Sequence, residues 1–224
     1  MDWDQLYIKH PEFCIKEIAK EVEEVLPLIE AIPGEAGDKK IYDLGFGAGR
    51  HILFFAERGY QVFGDDISKS GKAITEELLA EKGLKAKLGL SDMTVIPYQD
   101  NYFDAIINRG VITHNTLNNI ETCIAEMYRT LRPRGIVMTT FISTESSEYA
   151  KGTEIEPNTF IPDSGPEEGV AHYFVNKAKT EALMAQFKKI RLYHFKHKGI
   201  LDVGNYISAH WIYIGKKPNT IKEV

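Results

Sequence analysis

"IYDLGFGAGR", residues 41–50, places three glycines two apart, behind a short apolar run and ahead of a helical pattern. A strand that enters a glycine turn and leaves as a helix is the opening unit of a doubly wound sheet. In such a sheet ligands sit beyond the carboxyl ends of the strands, where strand order reverses. Glycine has no Cβ, so the backbone at Gly45, Gly47 and Gly49 can approach a ligand closely, and the first N–H groups of the following helix can face an anionic end. A tight turn without a ligand would use the same residues.

On either side of this turn, short apolar runs alternate with amphipathic stretches. The pattern predicts strands at 41–44, 61–66, 85–90, 103–108, 136–142, 190–196 and 209–215, and helices at roughly 50–58, 69–82, 118–131 and 177–187. Upstream, Ile15, Ile18, Val22, Val25 and Ile29 recur at spacings of three and four, which predicts a helix over 11–30 with Pro11 in its first turn. Over 118–131 the stripe Ile120, Cys123, Ile124, Met127, Tyr128 and Leu131 is the clearest helical signal. Asn118 and Glu121 resemble a capping box there, and Pro133 and Gly135 close it. Alternating units of this kind imply an α/β fold: a Rossmann-like, doubly wound, mostly parallel seven-stranded sheet with helices on both faces.

The chain has 224 residues, 43% of them hydrophobic, enough for one domain with its own core. A net charge of -5 argues against a nucleic-acid partner. No run approaches the roughly 18 apolar residues of a membrane span, and the N-terminus lacks a signal-peptide pattern, so a cytoplasmic protein without membrane partners is expected. Cys14 and Cys123 suit buried thiols on helical faces rather than a disulfide or a zinc site, and no metal is expected. Residues 144–171 break the alternation and carry seven acids against one lysine. A stretch of this length is either a functional lid or a solvated loop.

The glycine turn also reports on its ligand. A dinucleotide fingerprint needs G-x-G-x-x-G, but Arg50 stands where its third glycine would fall, and Asp43 precedes the turn by two residues. A carboxylate there welcomes an ammonium group and repels a pyrophosphate. The next strand ends in Asp65 and Asp66, and because strand side chains alternate, one of the two can grip ribose hydroxyls. A nucleoside with a cationic amino-acid end describes S-adenosylmethionine better than NAD.

With these motifs in order, residues 41–142 resemble the class I S-adenosylmethionine-dependent methyltransferases, in particular the type 11 group acting on small molecules. "YDLGFGAGRH" resembles the family's first motif, "FGDDIS" the second, "LSDMTVIPYQDNYFDAIINRGVITH" the third and fourth, and "LRPRGIVMTT" the turn into strand five. The resemblance implies that Asp43 faces the methionyl amino group and that Gly45, Gly47 and Gly49 admit the cofactor. It selects Asp66 for the ribose, with Ile67 against the adenosine, Asp92 on the adenine amino group and Met93 on the ring. Asn108, Arg109 and Gly110 would line the methyl-donor side. It also implies that 209–215 is an antiparallel strand inserted beside 190–196. Arg134 and Arg109 depart from the family pattern, which has glycine at the first position and a smaller polar residue at the second.

The acceptor is less legible. Sulfonium already activates the methyl group, so alignment and desolvation of an O, N or S nucleophile are the main requirements and a base is optional. No N-P-P-[YF] follows strand four and no Pro-Cys nucleophile is present, which removes the adenine-amino and cytosine-C5 DNA readings. His114 is the candidate catalytic base, or a histidine that shapes the loop. Trp3, Tyr7, His172, Tyr173 and Trp211, with His210, are candidate substrate contacts, each with an ordinary packing role as its alternative. The expectation is a single methyltransferase domain over 1–224, with 1–35 as an N-terminal helical cap and 144–175 as an acceptor-side insert. It would act as a monomer or homodimer on a small-molecule acceptor and release S-adenosylhomocysteine. The rival readings are a tRNA- or protein-directed methyltransferase, a cofactor-binding module without turnover, and a nicotinamide-dependent oxidoreductase.

Overall fold

Along Ile41, Tyr42, Asp43 and Leu44 successive side chains point to opposite faces, and both faces are buried. Such a strand belongs in the middle of a sheet covered on both sides. The computed structural model describes residues 3–10, 14, 17–198 and 206–219. In chain order its helices are α1 (Trp3–Lys9), α2 (Lys20–Glu23), α3 (Leu26–Glu30), α4 (Arg50–Ala56), α5 (Lys69–Glu81), α6 (Leu117–Thr130) and α7 (Lys177–Leu183). The strands of the first half are β1 (Lys40–Leu44), β2 (Gln61–Asp66), β3 (Lys87–Leu90), β4 (Phe103–Asn108) and β5 (Leu131–Ser143). They are followed by β6 (Thr153–Glu156), β7 (Thr159–Ile161), β8 (His172–Val175), β9 (Lys188–Lys198) and β10 (Ile207–Lys216).

The strands β3-β2-β1-β4-β5 are parallel, β10 joins β5 antiparallel, and β9 joins β10 antiparallel. These are the seven strands expected from sequence, with the last strand inserted beside β9 as the resemblance implied. Order reverses between β1 and β4, so the ligand crevice of this topology opens beyond Leu44 and Asn108.

One face of the sheet buries Ile41, Ala105, Ile107, Met138, Ile212 and Ile214 against α4 and the N-terminal helices. The other buries Tyr42, Leu44, Ile106, Val137 and Phe141 against Ile120, Cys123, Ile124 and Met127 of α6. Each fully buried Ile or Met of that helix stabilises the fold by roughly 1.5–3 kcal/mol relative to exposure. Among the described residues, no helix is long and apolar enough to cross a membrane.

Three expectations are corrected. The single helix over 11–30 is instead two short helices starting at Lys20, broken where Pro27 opens α3; Val22, Val25 and Ile29 are buried as the stripe required. Pro11 and Ile15 lie outside the described residues, and Cys14 is itself non-helical and only partly buried. The cap of α6 is Thr116 rather than Asn118, and its first N–H, from Leu117, goes to Glu156 Oε1 at 2.6 Å. Finally, the stretch 144–171 is not a plain loop: β6 and β7 form a hairpin around Pro157 and Asn158, and β7 pairs with β8. Asn158 takes a left-handed φ of 65° at that turn, which asparagine tolerates. Arg134 likewise adopts φ 67°, in the left-handed region that favours glycine.

The placement of β8 fixes the site. The β4 register ends at Asn108 opposite Thr139, whereas β5 continues to Ile142 and Ser143, which pair in parallel with Phe174 and Val175. Since β10 occupies the other edge of Ile142, β8 stands on the β4 edge, above the end of β4. Tyr173 N donates to Thr113 O at 2.8 Å and fastens it there.

Candidate active site

At the carboxyl end of β1, Asp43 is 1% exposed, and its Oδ2 has no hydrogen-bond partner, with His51 Nδ1 3.7 Å away. A buried carboxylate oxygen in this position is poorly satisfied and suits an incoming cation. The turn beyond it is left-handed at Gly45, Gly47 and Gly49. A Cβ on Gly45 would strike Val111, one on Gly47 the Tyr7 hydroxyl, and one on Gly49 the side chain of Thr75. The chain's own packing therefore requires these glycines.

Alternation along β2 separates the two acids. Asp65 accepts the Tyr42 hydroxyl at 3.0 Å on the face away from the turn. Asp66 faces the turn: its Oδ2 accepts Gly47 N at 2.7 Å and its Oδ1 accepts Ser68 N at 2.8 Å. Burial pushes the Asp66 carboxyl up, against the pull of those two N–H groups. Ile67, 56% exposed, offers an apolar surface on the adjoining rim. Asp92 is exposed and occupied by Thr94, whose N and Oγ1 donate to Oδ1 at 2.9 and 2.6 Å, while Met93 is buried beneath it.

The end of β4 differs from expectation. Asn108 is turned into the sheet, where Nδ2 donates to Leu44 O at 3.4 Å and Oδ1 accepts Thr139 Oγ1 at 3.1 Å, so it ties three strands together rather than lining the crevice. Arg109 pairs with Glu21 of α2, Nε to Oε1 at 3.1 Å. Burial raises the Glu21 carboxyl, but backbone N–H and Arg109 outweigh it and hold the group below the usual carboxylate range. Gly110 has φ 72° and open space where a Cβ would stand, so here the crevice is bare backbone.

Helix α1 lies across both halves of the crevice. Asp4 Oδ1 accepts Ser68 Oγ and Ser70 N, each at 2.9 Å, which pins the helix to the start of α5. Tyr7 then sits over Gly47, its hydroxyl pushed well above the ordinary range by burial and by Asp66. Trp3 stands edge-on to His114, ring centroids 5.3 Å apart. The two aromatics are thus split, Tyr7 over the glycine turn and Trp3 over the β4–α6 connection.

Above the end of β4, His114, Glu167 and His172 converge. The imidazoles meet at 73° with centroids 4.9 Å apart. Glu167 lies between them, Oε1 3.8 Å from His114 Nε2 and Oε2 3.1 Å from His172 Nε2. Burial holds His114 below the ordinary imidazole range and therefore neutral at pH 7. Two other expected contacts are elsewhere. Tyr173 alternates with His172 and points into the core beneath, and Trp211 stacks on His194 at 4.3 Å. His210, whose side chain alternates with that of Trp211, points to the opposite face, towards Arg109 and His114. Glu167 had no sequence signal beyond membership of an acidic stretch. A separate cavity of about 380 Å³, lined by Leu117, Glu156, Asn158, Phe174 and Lys179, shares no residue with the glycine turn.

Residues 42–139 match the family model described as a methyltransferase domain. Over 177 residues the chain is 28% identical to phosphoethanolamine N-methyltransferase 2 of Caenorhabditis elegans, covering 76% of this chain and 40% of that protein. Over 102 residues it is 32% identical to a ubiquinone/menaquinone biosynthesis C-methyltransferase of Cupriavidus taiwanensis, covering 44% and 41%. The chain thus spans about two fifths of the length of these relatives. In fold it is similar to a SAM-dependent methyltransferase structure from Methanosarcina mazei, with a TM-score of 0.72 at 21% identity over 86% of this chain and 98% of the other.

Proposed function

We propose that this chain is a class I S-adenosylmethionine-dependent methyltransferase that moves the sulfonium methyl group of that cofactor onto an O, N or S atom of a small molecule, a reading supported by the methyltransferase-domain match over residues 42–139 and by the likeness of fold. The observation that carries the reading is Asp43: a fully buried carboxylate with an unpartnered oxygen, set behind a left-handed glycine turn at the point where strand order reverses. A methionyl ammonium supplies the missing partner. Asp66 and the rim at Ile67 take the ribose and one face of the adenosine, Asp92 and Met93 the adenine edge and ring, and Gly110 leaves room at the sulfonium.

When bound, the cofactor supplies an electrophilic methyl and a neutral thioether leaving group. The chain's residues have to hold the nucleophile in line, keep water out and accept its proton. Trp3 and Tyr7 close the crevice over its two halves, which excludes water from the reacting atoms. His114, neutral and beside Glu167, is the proton acceptor, and Glu167 offsets the positive charge that the imidazole gains. Selection of a small acceptor is supported by the covered crevice and by relatives whose names describe phosphoethanolamine and quinone methylation. Turnover is tested by release of S-adenosylhomocysteine in the presence of a panel of amines, phenols and thiols. Product with at least one acceptor, reduced in Asp43→Asn at cofactor concentrations below saturation, supports the reading; cofactor binding without product from any acceptor would leave a binding module in its place.

A further inference from the structure

We propose that His114, Glu167 and His172 form a binding site for one divalent transition-metal ion of the zinc class. The three residues come from separate pieces of chain: the β4–α6 connection, the insert and β8. One donor atom from each lies within 4.8 Å of the others. Around a tetrahedral ion with bonds of about 2.0–2.2 Å, ligand atoms stand roughly 3.4 Å apart. The two histidine-to-carboxylate distances of 3.8 and 3.1 Å bracket that spacing, so small side-chain rotations would close the site.

The hydrogen bonding favours an ion over a self-contained polar cluster. His172 is 2% exposed, yet neither of its ring nitrogens has a hydrogen-bond partner. Its Nε2 is near enough to Glu167 Oε2 but not aligned with it. On His114 the nitrogen that faces Glu167 is Nε2, 3.8 Å from Oε1, while Nδ1 on the other side of the ring is buried and unpartnered. Buried polar atoms left unmade each cost about 1–3 kcal/mol, and native proteins avoid collecting several at one point without use. A metal ion takes an imidazole lone pair directly and places its charge beside the carboxylate. Two imidazoles and one carboxylate select zinc, cobalt or iron over magnesium and calcium, which favour all-oxygen sets. Three protein ligands also leave a coordination position free for water or for a nucleophilic atom of an acceptor.

Use of the ion in catalysis rests on the placement of the acceptor in the proposed function; binding of the ion does not. With an ion in place, His114 serves as a ligand instead of as the base: coordination lowers the pKa of the acceptor atom, and its proton passes to solvent water. The test is calorimetric titration of the chelator-stripped full chain with Zn2+, paralleled by Co2+, whose visible absorption reports tetrahedral nitrogen and oxygen ligation. The expected result is one ion per chain, with affinity at least about tenfold lower in His172→Gln and in Glu167→Gln, both checked for folding by circular dichroism. Absence of Zn2+ and Co2+ binding by the folded chain, or binding that neither substitution weakens, would overturn the site. Neither readout needs the cofactor, so failure here is separable from failure of methyl transfer.

Discussion

The carboxylate of Asp66 accepts the backbone N–H of Gly47 at 2.7 Å, which closes the glycine turn of β1 onto the end of β2. One side chain therefore shapes the turn and presents a carboxylate to the crevice. Hydrogen bonds to a charged group contribute about 1.5–3 kcal/mol each. Asp66→Ala is expected to weaken S-adenosylhomocysteine binding by about a hundredfold, and Asp66→Asn, which keeps an acceptor oxygen, by less. Calorimetry on both variants checks the order; equal affinity in wild type and Asp66→Ala would remove Asp66 from the ligand.

Asp43 leads to effects of opposite sign. Its charge is buried with one oxygen unpartnered, a feature that destabilises the free protein. Asp43→Asn is expected to leave thermal stability unchanged or raised while cofactor affinity falls by about tenfold or more. Scanning calorimetry alongside ligand titration distinguishes this from a structural role, in which stability and affinity would fall together.

The closed position of α1 depends on Gly47 lacking a side chain. A methyl group there meets the Tyr7 hydroxyl and forces a non-glycine residue to φ 54°, a conformation costing roughly 1–2 kcal/mol. Gly47→Ala is expected to loosen α1, so that amide hydrogen exchange in residues 3–10 quickens while that of α6 does not change. Adding Tyr7→Phe relieves the contact but not the backbone strain, so it restores protection only in part.

His210 makes the fold sensitive to acid. Burial pushes its imidazole down to about 4, with Arg109, His197 and His114 acting in the same direction and Glu21 against it. The unfolded chain, with a pKa near 6.5, takes up the proton first. Stability from this group is therefore complete above about pH 6.5, declines as pH falls from 6.5 towards 4, and levels off below. A gap of about 2.5 pH units at about 1.4 kcal/mol each limits the loss to about 3 kcal/mol. Glu167, held down at about 2 despite its burial by His172 and His114, loses its contribution in a lower window, from about 4.5 to 2. Urea unfolding between pH 7 and 4 should show the decline in wild type and a flatter profile in His210→Gln.

The sheet was legible because its signals are local. Runs such as "KIYDL" and "FDAIIN" are buried on both faces and end at turn residues, and the stripe of α6 places Ile120, Cys123, Ile124 and Met127 on one side. Asp66 could be separated from Asp65 only through the resemblance; in the structure the period of the strand makes the same choice. Other features depend on tertiary partners. β6 and β7 are four and three residues long, one of them acidic and exposed, and they exist through pairing with β8. Thr116 holds the N-cap position of α6 without a side-chain hydrogen bond, and the first N–H of the helix is satisfied by Glu156, nearly forty residues along the chain, which no local pattern could announce. Asn108 looked available at a strand end, yet its amide is consumed by Leu44 and Thr139 on neighbouring strands. Glu167 acquires its meaning only when β8 carries His172 to the end of β4.

The central claim is that the crevice beyond β1 and β4 is built for a nucleoside with a cationic amino-acid end. Isothermal titration of the purified chain with S-adenosylhomocysteine, and with NAD in parallel, tests it most directly. Micromolar binding of S-adenosylhomocysteine and none of NAD is the predicted result. A folded chain that ignores S-adenosylhomocysteine, or that binds NAD equally well, would contradict it and leave the unpartnered carboxylate of Asp43 without its ligand.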